Sequence, residues 1–310
     1  MFLGIEIGGT KLQLGVGSGD GGPLSVIERL PVEPQGGADR IRAQIERAVG
    51  PLIGEHGITG VGIGFGGPVD AAAGRTIRSH QVDGWADFPL VDWCRQTLGL
   101  PAVLGNDSDL AGLVEARFGA GANQRVVFYT NVGSGIGGAL VIDGELYGGG
   151  SGVASEIGHL RPGLSCDGDE ETVESIASGW AITAAVKARL AQDDSAADLL
   201  RRCDGQIDRL STAIIARAAA EGNRLAREAF DRATEAYGWA IAQMITLLSP
   251  NVVVVGGGVS LVGEALWFAP LREQVARYVF PPLRGSYRIV PAALGEEVVV
   301  HGALALAASS

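Results

Sequence analysis

The sequence predicts an α/β protein that is built from two similar halves. Each half begins with a hairpin, because IEIGGTKLQLGV and TNVGSGIGGALVI share the order strand, glycine-containing tip, strand. Helical patterns follow both hairpins, so strands and helices alternate along the chain. Two copies of one hairpin layout indicate an internal duplication.

The first half reads as hairpin, helix, strand, strand and helix. The hairpin covers residues 2–17, and apolar residues at helical spacing predict a helix over about 39–55. GVGIGFGGPVD is a strand that ends in glycines and a proline. AVLGNDSDLAGLVEARFGAG changes from strand to helix at Asn106 and Asp107, and Gly119 supplies the stop. Asp107 is therefore expected at the start of a helix.

The second half begins with RVVFYTNVGSGIGGALVIDGELYGGG, in which an Asp-Gly turn joins the hairpin to a further short strand. Beyond Ser175 the chain is mostly helical, with a long helix over about 223–248 that Pro250 ends. VVVVGGG is then a fully apolar strand that breaks on three glycines. A helix over about 263–278 and a final helix after Glu296 complete the pattern.

Composition and charge exclude several classes of protein. The 310 residues carry 24 Lys and Arg against 35 Asp and Glu, and the net charge of -11 leaves no basic stripe for nucleic acid. Cys94, Cys166 and Cys203 are scattered and odd in number, so we expect no disulfide framework and a reducing, cytoplasmic compartment. We expect neither export nor a membrane anchor, since no signal-peptide pattern and no run of about eighteen apolar residues occurs.

Glycine clusters at three strand ends predict phosphate binding. Backbone N–H groups without side chains in the way form nests that suit phosphate oxygens. The two hairpin tips and the glycines after VVVV offer three such places, although one tip alone would be read as a tight turn. No G-x-x-x-x-G-K-[ST] string occurs, and the hairpin setting differs from a dinucleotide fingerprint.

A carboxylate at a helix start is a candidate base for phosphoryl transfer to a hydroxyl, which requires a proton acceptor. Asp107 is that candidate, because the helix dipole favours its ionised form. Asn106, Glu156 and Glu174 add groups that a polyhydroxylated ligand would meet. The alternatives are an N-capping aspartate at 107 and an ordinary structural histidine at His159.

Seven strings occur in the order and spacing of the ROK family of sugar kinases and repressors: LGIEIGGTK, GIGFGGPVD, GNDSDLAGLVE, VGSGIGGALVIDGELYGG, EIGHL, VESIASG and PNVVVVGGGV. The chain resembles this family over nearly its whole length. The resemblance implies an α/β fold of two ribonuclease-H-like (actin-like ATPase) domains with a cleft between them. We expect a smaller N-terminal domain of residues 1–118 plus 296–310 and a larger C-terminal domain of residues 119–295.

The resemblance further implies a sugar kinase that uses Mg-ATP. The γ-phosphate would pass to a hexose hydroxyl, O6 of glucose or of a related aldohexose. Asp107 would be the general base, and Glu6 would help to arrange the Mg-nucleotide, which carries the magnesium. The sugar would be bound by Gly67, Asn106, Asp107, Glu156, His159 and Glu174. The nucleotide would be bound by Gly8, Gly9, Thr10, Lys11, Gly133, Ser134, Gly135, Gly137, Gly256, Gly257 and Gly258.

The segment after His159 departs from the zinc-binding members of the family. Those members follow the EIGH histidine with C-G-C-G-x-x-G-C-L-E, whose three thiolates complete a tetrahedral site. Counted back from Glu174, those cysteines would fall at Thr172, Asp167 and Ser165. His159 and Cys166 supply two ligands of four, so we expect no structural zinc. A thiol catalyst at Cys166 would need a partner base that nothing in the sequence specifies.

Three alternatives stay open. Sugar-responsive repressors of the family carry an additional helix-turn-helix domain, whereas the first hairpin here begins at Leu3, so we expect no DNA reader. A polyphosphate-dependent glucokinase would favour a basic groove, for which no Lys/Arg cluster is evident. A binding module without turnover is disfavoured by Asp107. The motifs do not identify the hexose, and glucose is expected on family frequency alone. They do not identify the oligomeric state either, and a homodimer is left open.

Overall fold

The computed structural model describes residues 1–79, 81–150, 152–163, 168 and 171–310. The chain divides into two compact units. The first unit consists of Met1–Asn123, Ala139–Ala154 and Ala293–Ser310. The second unit consists of Gln124–Gly138 and Ser155–Ala292.

The described residues contain strands and α-helices in alternation, as an α/β protein should. The strands are β1 (Phe2–Ile7), β2 (Lys11–Gly17), β3 (Val26–Pro31), β4 (Gly60–Phe65), β5 (Val69–Asp70), β6 (Arg75–Thr76), β7 (Ala102–Asn106), β8 (Val126–Val132), β9 (Ile136–Ile142), β10 (Glu145–Leu146), β11 (Val252–Gly256) and β12 (Arg288–Pro291). The helices are α1 (Gly37–His56), α2 (Leu90–Leu98), α3 (Asp107–Phe118), α4 (Glu174–Ala177), α5 (Gly179–Arg189), α6 (Ala196–Arg202), α7 (Thr212–Ala220), α8 (Arg224–Leu248), α9 (Ala269–Tyr278) and α10 (Val298–Ala308).

Two five-stranded sheets have the same topology. Their strand orders are β3-β2-β1-β4-β7 and β10-β9-β8-β11-β12. In the first sheet β1 and β2 are antiparallel, while β1, β4 and β7 run parallel. In the second sheet β8, β11 and β12 run parallel, and β9 and β10 are antiparallel. This repetition is what the duplicated hairpin pattern predicts.

The helix that follows the first hairpin, α1, is slightly longer than predicted. Its buried face carries apolar residues at helical spacing, among them Ile41, Ile45 and Val49. The helix ends where Gly57 adopts a left-handed conformation with φ of 58°, which glycine reaches without steric cost.

The last helix, α10, lies against the first sheet through glycines. A Cβ atom at Gly4 would lie 2.7 Å from the carbonyl oxygen of Val300, and one at Gly62 would overlap the carbonyl oxygen of Ala303. Only residues without a side chain allow the helix backbone to come this close to the strands. α10 therefore covers β1 and β4, and the turn before it lies close to the first hairpin.

The predicted domain boundaries at 118/119 and 295/296 stay predictions, and the observed first unit additionally includes Ala139–Ala154. Arg117 of α3 contacts this additional segment. Its Nε donates to the Gly144 carbonyl over 2.9 Å, and its guanidinium pairs with Glu145 at 3.0 Å.

Within the described part of the chain, no helix is both long enough and apolar enough to span a membrane.

Candidate functional site

The residues predicted to bind sugar and nucleotide fall into two groups, one in each unit. The first unit contains Glu6, Gly8, Gly9, Thr10, Lys11, Gly67, Asn106 and Asp107. The second unit contains Gly133, Ser134, Gly135, Gly137, Glu156, His159, Glu174, Gly256, Gly257 and Gly258. Each group is described below within its own unit.

The carboxyl ends of three parallel strands bring Asp107 next to the first glycine tip. In the sheet register Ile7 lies opposite Phe65, and Phe65 lies opposite Asn106, so the residues after them share one edge. A Cβ atom at Gly66 would lie 3.4 Å from the Cα of Gly8 and 3.5 Å from Oδ2 of Asp107. The half-buried Asp107 carboxylate therefore borders both glycine turns.

Asn106 is the residue that caps α3. Its Oδ1 accepts hydrogen bonds from the backbone N–H groups of Ser108, at 2.9 Å, and Asp109, at 3.2 Å. Its Nδ2 donates to the Gly67 carbonyl over 3.1 Å, which joins two residues of the predicted sugar set. The alternative that Asp107 is the N-cap is therefore wrong, because Asp107 is the first residue inside the helix.

Both oxygens of the Glu6 carboxylate are engaged by β2. Oε1 lies 3.1 Å from Nζ of Lys11, and Oε2 accepts a 2.9 Å hydrogen bond from Nε2 of Gln13. The same two donors also bond the carbonyl oxygen of Glu296, over 3.4 Å from Lys11 and 3.0 Å from Gln13. Glu6 is thus held in one orientation beside the first hairpin tip.

The ionisation of Glu6 is governed by opposing effects. Burial raises the pKa of Glu6 and the Lys11 ammonium lowers it, with the burial effect the larger. The negative charge of Asp107 also raises this pKa, which places the two carboxylates within electrostatic reach of each other. Carboxylate oxygens are the hard ligands that Mg²⁺ accepts, so this pair of side chains fits a role beside a Mg-nucleotide.

Two residues at the first hairpin tip were not predicted from the sequence. Gln13 is 1% exposed, and its Oε1 is buried without a hydrogen-bond partner in the described structure. A Cβ atom at Gly9 would overlap the side chain of Gln81, so Gln81 lies across the tip. The signal for Gln13 was one amide in the apolar strand KLQLGVG, but its contact with Glu6 follows only from the strand register.

The second glycine tip is held in place by Glu174 and Gly179. Oε2 of Glu174 accepts a 2.7 Å hydrogen bond from the backbone N–H of Ile136. The Gly133 N–H donates to Gly135 over 2.8 Å, and the Gly133 carbonyl accepts from the Gly179 N–H over 2.8 Å. Glu174, predicted as a sugar ligand, therefore also supports the predicted phosphate loop.

The third glycine cluster packs directly against the second tip. Gly257 has φ of 85°, and a Cβ atom there would overlap the backbone of Val132, the residue before Gly133. The Val259 N–H donates to the Val132 carbonyl over 2.9 Å. The structure thus brings together two of the three clusters predicted to bind nucleotide.

Glu156 lies within electrostatic reach of both His159 and Glu174. Glu156 is exposed at the surface, yet desolvation of its carboxyl group by surrounding protein raises its pKa. The His159 charge lowers the pKa of Glu156, and the Glu174 charge raises it. Three of the residues predicted to bind sugar are therefore neighbours.

Only some of the residues named in the zinc and thiol predictions lie within the described ranges. Cys166, Asp167 and Ser165 lie outside the described residues. Thr172 is described, and its hydroxyl accepts a hydrogen bond from the Ser175 N–H over 3.3 Å. Within the described ranges, no group of three or more His, Cys, Asp or Glu side chains could hold a metal ion. The expectation of no structural zinc stays a prediction.

The two cysteines that the structure describes are not reactive groups. Cys94 and Cys203 are buried and free among the described residues. Burial raises the pKa of the Cys94 thiol to about 12, so it stays protonated at neutral pH.

Comparison with known proteins gives consistent matches. Residues 2–310 match the family model described as "ROK family". The chain is 32% identical to a glucokinase of Thermotoga maritima in an alignment 310 residues long that covers 98% of this chain and 96% of that protein. It is 33% identical to a glucokinase of Streptomyces coelicolor in an alignment 317 residues long that covers 99% of this chain and 97% of that protein.

The fold is similar to a solved structure over its full length. That structure is a ROK family glucokinase from Streptomyces griseus in complex with glucose and AMPPNP. The TM-score is 0.87 at 34% identity, and the match covers 100% of this chain and 99% of that chain. The predicted fold class, with two ribonuclease-H-like domains of the actin-like ATPase type, is confirmed.

Proposed function

Because the chain belongs to the ROK family, we propose that it is an ATP-dependent hexose kinase that transfers the γ-phosphate of Mg-ATP to a sugar hydroxyl. The observation that carries this proposal is the position of Asp107. Its carboxylate lies at the carboxyl edge of the first sheet, beside Gly66 and the first glycine tip. Relatives of similar length are glucokinases, which supports glucose or a related aldohexose as the acceptor.

In this proposal Asp107 is the general base. Its carboxylate accepts the proton of the hydroxyl, O6 in an aldohexose, as that oxygen forms a bond to the γ-phosphorus. The bond from the γ-phosphorus to the bridging oxygen of ADP breaks, and the proton leaves Asp107 for solvent after the sugar phosphate departs. Its place at the start of α3 favours the ionised form that this step needs.

The proposed sugar ligands are polar groups with fixed directions. Asn106 uses its oxygen to cap α3 and one N–H to bond Gly67, so its second amide N–H is left for a sugar hydroxyl. Glu156, His159 and Glu174 form the corresponding polar group of the second unit. Charged and amide groups of this kind bind hydroxyls as donors and acceptors at defined angles.

The proposed nucleotide ligands are backbone N–H groups of the three glycine clusters, with Thr10, Lys11 and Ser134. Magnesium on the nucleotide would neutralise charge on the phosphates. Glu6 and Asp107 are the carboxylates of the first unit that would lie beside it. Lys11 is half exposed and pairs with Glu6, so its ammonium can also reach toward a phosphate.

Two further proposals concern the cellular compartment and the oligomeric state. The free, buried thiols of Cys94 and Cys203 support a reducing compartment, the cytoplasm. A homodimer is proposed from the resemblance to the family and is checked by light scattering of the purified protein.

The first experiment is ADP release by purified, EDTA-treated protein with Mg-ATP. The acceptors are glucose, N-acetylglucosamine, N-acetylmannosamine, mannose and fructose, each with and without added zinc. We expect sugar-dependent turnover that is fastest with glucose or a related aldohexose and needs no zinc. A parallel series with polyphosphate tests the other donor. A folded protein that binds sugar but turns over none of them with either donor would contradict the proposal and favour a regulatory role.

A further inference from the structure

Gly179 lies in contact with the segments of the second unit that are predicted to bind nucleotide. Its N–H donates to the Gly133 carbonyl over 2.8 Å. Its own carbonyl accepts from the hydroxyls of Thr212, at 2.7 Å, and Thr183, at 2.9 Å. A Cβ atom at Gly179 would lie 2.9 Å from the Gly133 carbonyl oxygen and 3.4 Å from a methyl group of Val259. One residue therefore touches the second tip and the segment that follows the third glycine cluster.

The residue that follows Gly179 is Trp180, which is 53% exposed. Trp85 and Trp267 are 1% and 0% exposed, and Trp93 and Trp239 are partly buried. A large aromatic side chain at the surface leaves apolar area in contact with water unless a ligand or partner covers it. Leu261, which follows Val259 by two residues, is another exposed apolar side chain on the segments that meet at Gly179.

The backbone before Trp180 is fixed, which favours a binding role over a random surface position. Three hydrogen bonds hold Gly179, and the hydroxyl of Ser178 caps α5 by accepting from the Ala181 N–H over 3.3 Å. A fixed backbone limits the positions that the indole can take, so less conformational freedom is lost when a flat ligand stacks on it.

We propose that the Trp180 indole stacks on the base of the bound nucleotide. This inference rests on the proposed function, since it takes the glycine clusters as the place where the phosphates bind. Backbone N–H nests recognise phosphates but offer nothing to an aromatic base. Every base has a π-face that an indole can cover, and the exposed Trp180 directly follows Gly179, which touches Gly133 of the second tip and Val259 after the third cluster.

The test compares wild-type protein with Trp180→Phe, Trp180→Ala and the control Phe280→Ala, in which a second 53% exposed aromatic side chain of the same unit is removed. The probes are ADP, inorganic pyrophosphate, which has no base, and glucose. Tryptophan fluorescence reports stacking, and calorimetry reports affinity. Thermal unfolding confirms that each variant is folded.

We expect ADP to quench wild-type fluorescence more than pyrophosphate or glucose does, and the ADP-specific part to disappear in Trp180→Phe. Trp180→Ala should bind ADP about 5- to 100-fold more weakly, because it has lost a stacked base. Its affinity for pyrophosphate should be unchanged, and Trp180→Phe should recover most of the ADP affinity. The Phe280→Ala control should match wild type.

Equal ADP affinity of Trp180→Ala and wild type would overturn the inference and leave the proposed kinase activity standing. Equal loss of ADP and pyrophosphate affinity would also overturn it, because the tryptophan would then only support the loops. Quenching by glucose alone that disappears in Trp180→Phe would assign Trp180 to the sugar instead. If wild-type protein bound no ADP and turned over no sugar, the proposed function itself would be wrong.

Discussion

Oε1 of Glu115 accepts a 2.8 Å hydrogen bond from the backbone N–H of Ala293, which lies 178 positions further along the chain. The same oxygen accepts from the Leu294 N–H over 2.8 Å, and Oε2 accepts from the Ala120 N–H over 2.8 Å. Glu115 is fully buried. Its carboxylate therefore ties together the segment through which the chain first leaves the first unit and the segment through which it finally returns.

Glu115→Ala should lower the free energy of unfolding by about 2–4 kcal/mol, because three backbone N–H groups lose a buried acceptor. Glu115→Gln should cost about 1–3 kcal/mol, since its amide nitrogen cannot accept. Urea denaturation measures both changes, and hydrogen exchange should become faster at the Ala120, Ala293 and Leu294 amides. The control Glu55→Ala, at an exposed position of α1, should stay within about 0.5 kcal/mol of wild type. A similar value for Glu115→Ala would argue against this role.

Asp107→Asn should lower kcat by about 10² to 10⁴ while sugar affinity stays largely intact, because the amide cannot accept the proton of the attacking hydroxyl. Steady-state kinetics and glucose calorimetry separate the two effects. Asp109→Asn removes a carboxylate from the same turn of α3 and serves as the control for the helix dipole. Full activity of Asp107→Asn would rule out the base.

Glu6 should make stability depend on pH. Burial raises the pKa of Glu6 above its ordinary value of 4.5, so the folded protein binds more protons than the unfolded chain. This contribution is present at low pH and is lost as the pH rises from about 4.5 through the folded pKa. Glu6→Gln does not titrate, so its stability relative to wild type should increase with pH across this window.

Lys11→Met changes the pKa of Glu6 without removing its carboxyl group, and it is tested by the same measurement. It removes the ammonium that lowers the pKa of Glu6, so the loss of stability should extend to higher pH than in wild type. Denaturation series in matched buffers measure both variants. A stability difference between Glu6→Gln and wild type that does not change with pH would contradict the assignment.

Glu174→Ala should weaken the binding of pyrophosphate and ADP as well as sugar. The substitution removes the acceptor of the Ile136 N–H, which holds the second glycine tip, and we expect a loss of about tenfold for ADP. Glu156→Ala is the matched control, because Glu156 should affect glucose binding alone. Calorimetry with each ligand distinguishes the two variants. Unchanged ADP affinity in Glu174→Ala would show that the contact with Ile136 is dispensable.

Local patterns predicted the parts of the fold that depend on neighbouring residues. Alternating strands around glycines indicated both hairpins, and the capping sequence at Asn106 indicated the start of α3. β12 was not predicted, because its four residues include a proline and pair with β11 alone. α2 was also missed, since its N-cap Pro89 makes no side-chain hydrogen bond that would mark its start.

Contacts between distant residues could not be read from such patterns. Ile136 and Glu174 are 38 positions apart, and their hydrogen bond depends on how α4 packs beside the hairpin. Gln13 meets Glu6 because of the strand register, and Glu115 resembles any charged residue of a helix until the backbone N–H groups that it accepts from are known. The residue types of the candidate site were predictable, whereas the partners that orient them were not.

The glycines that admit α10 to the first sheet have a consequence for how the protein is made. Gly4 and Gly62 face Val298–Ala308, because the described atoms nearest to a Cβ at either glycine belong to this helix. The ribosome synthesises this helix after all the strands it covers. The face of the first sheet that α10 covers therefore stays uncovered until the end of synthesis. Residues 155–292, by contrast, leave the ribosome as one stretch before the last segment of the first unit is made.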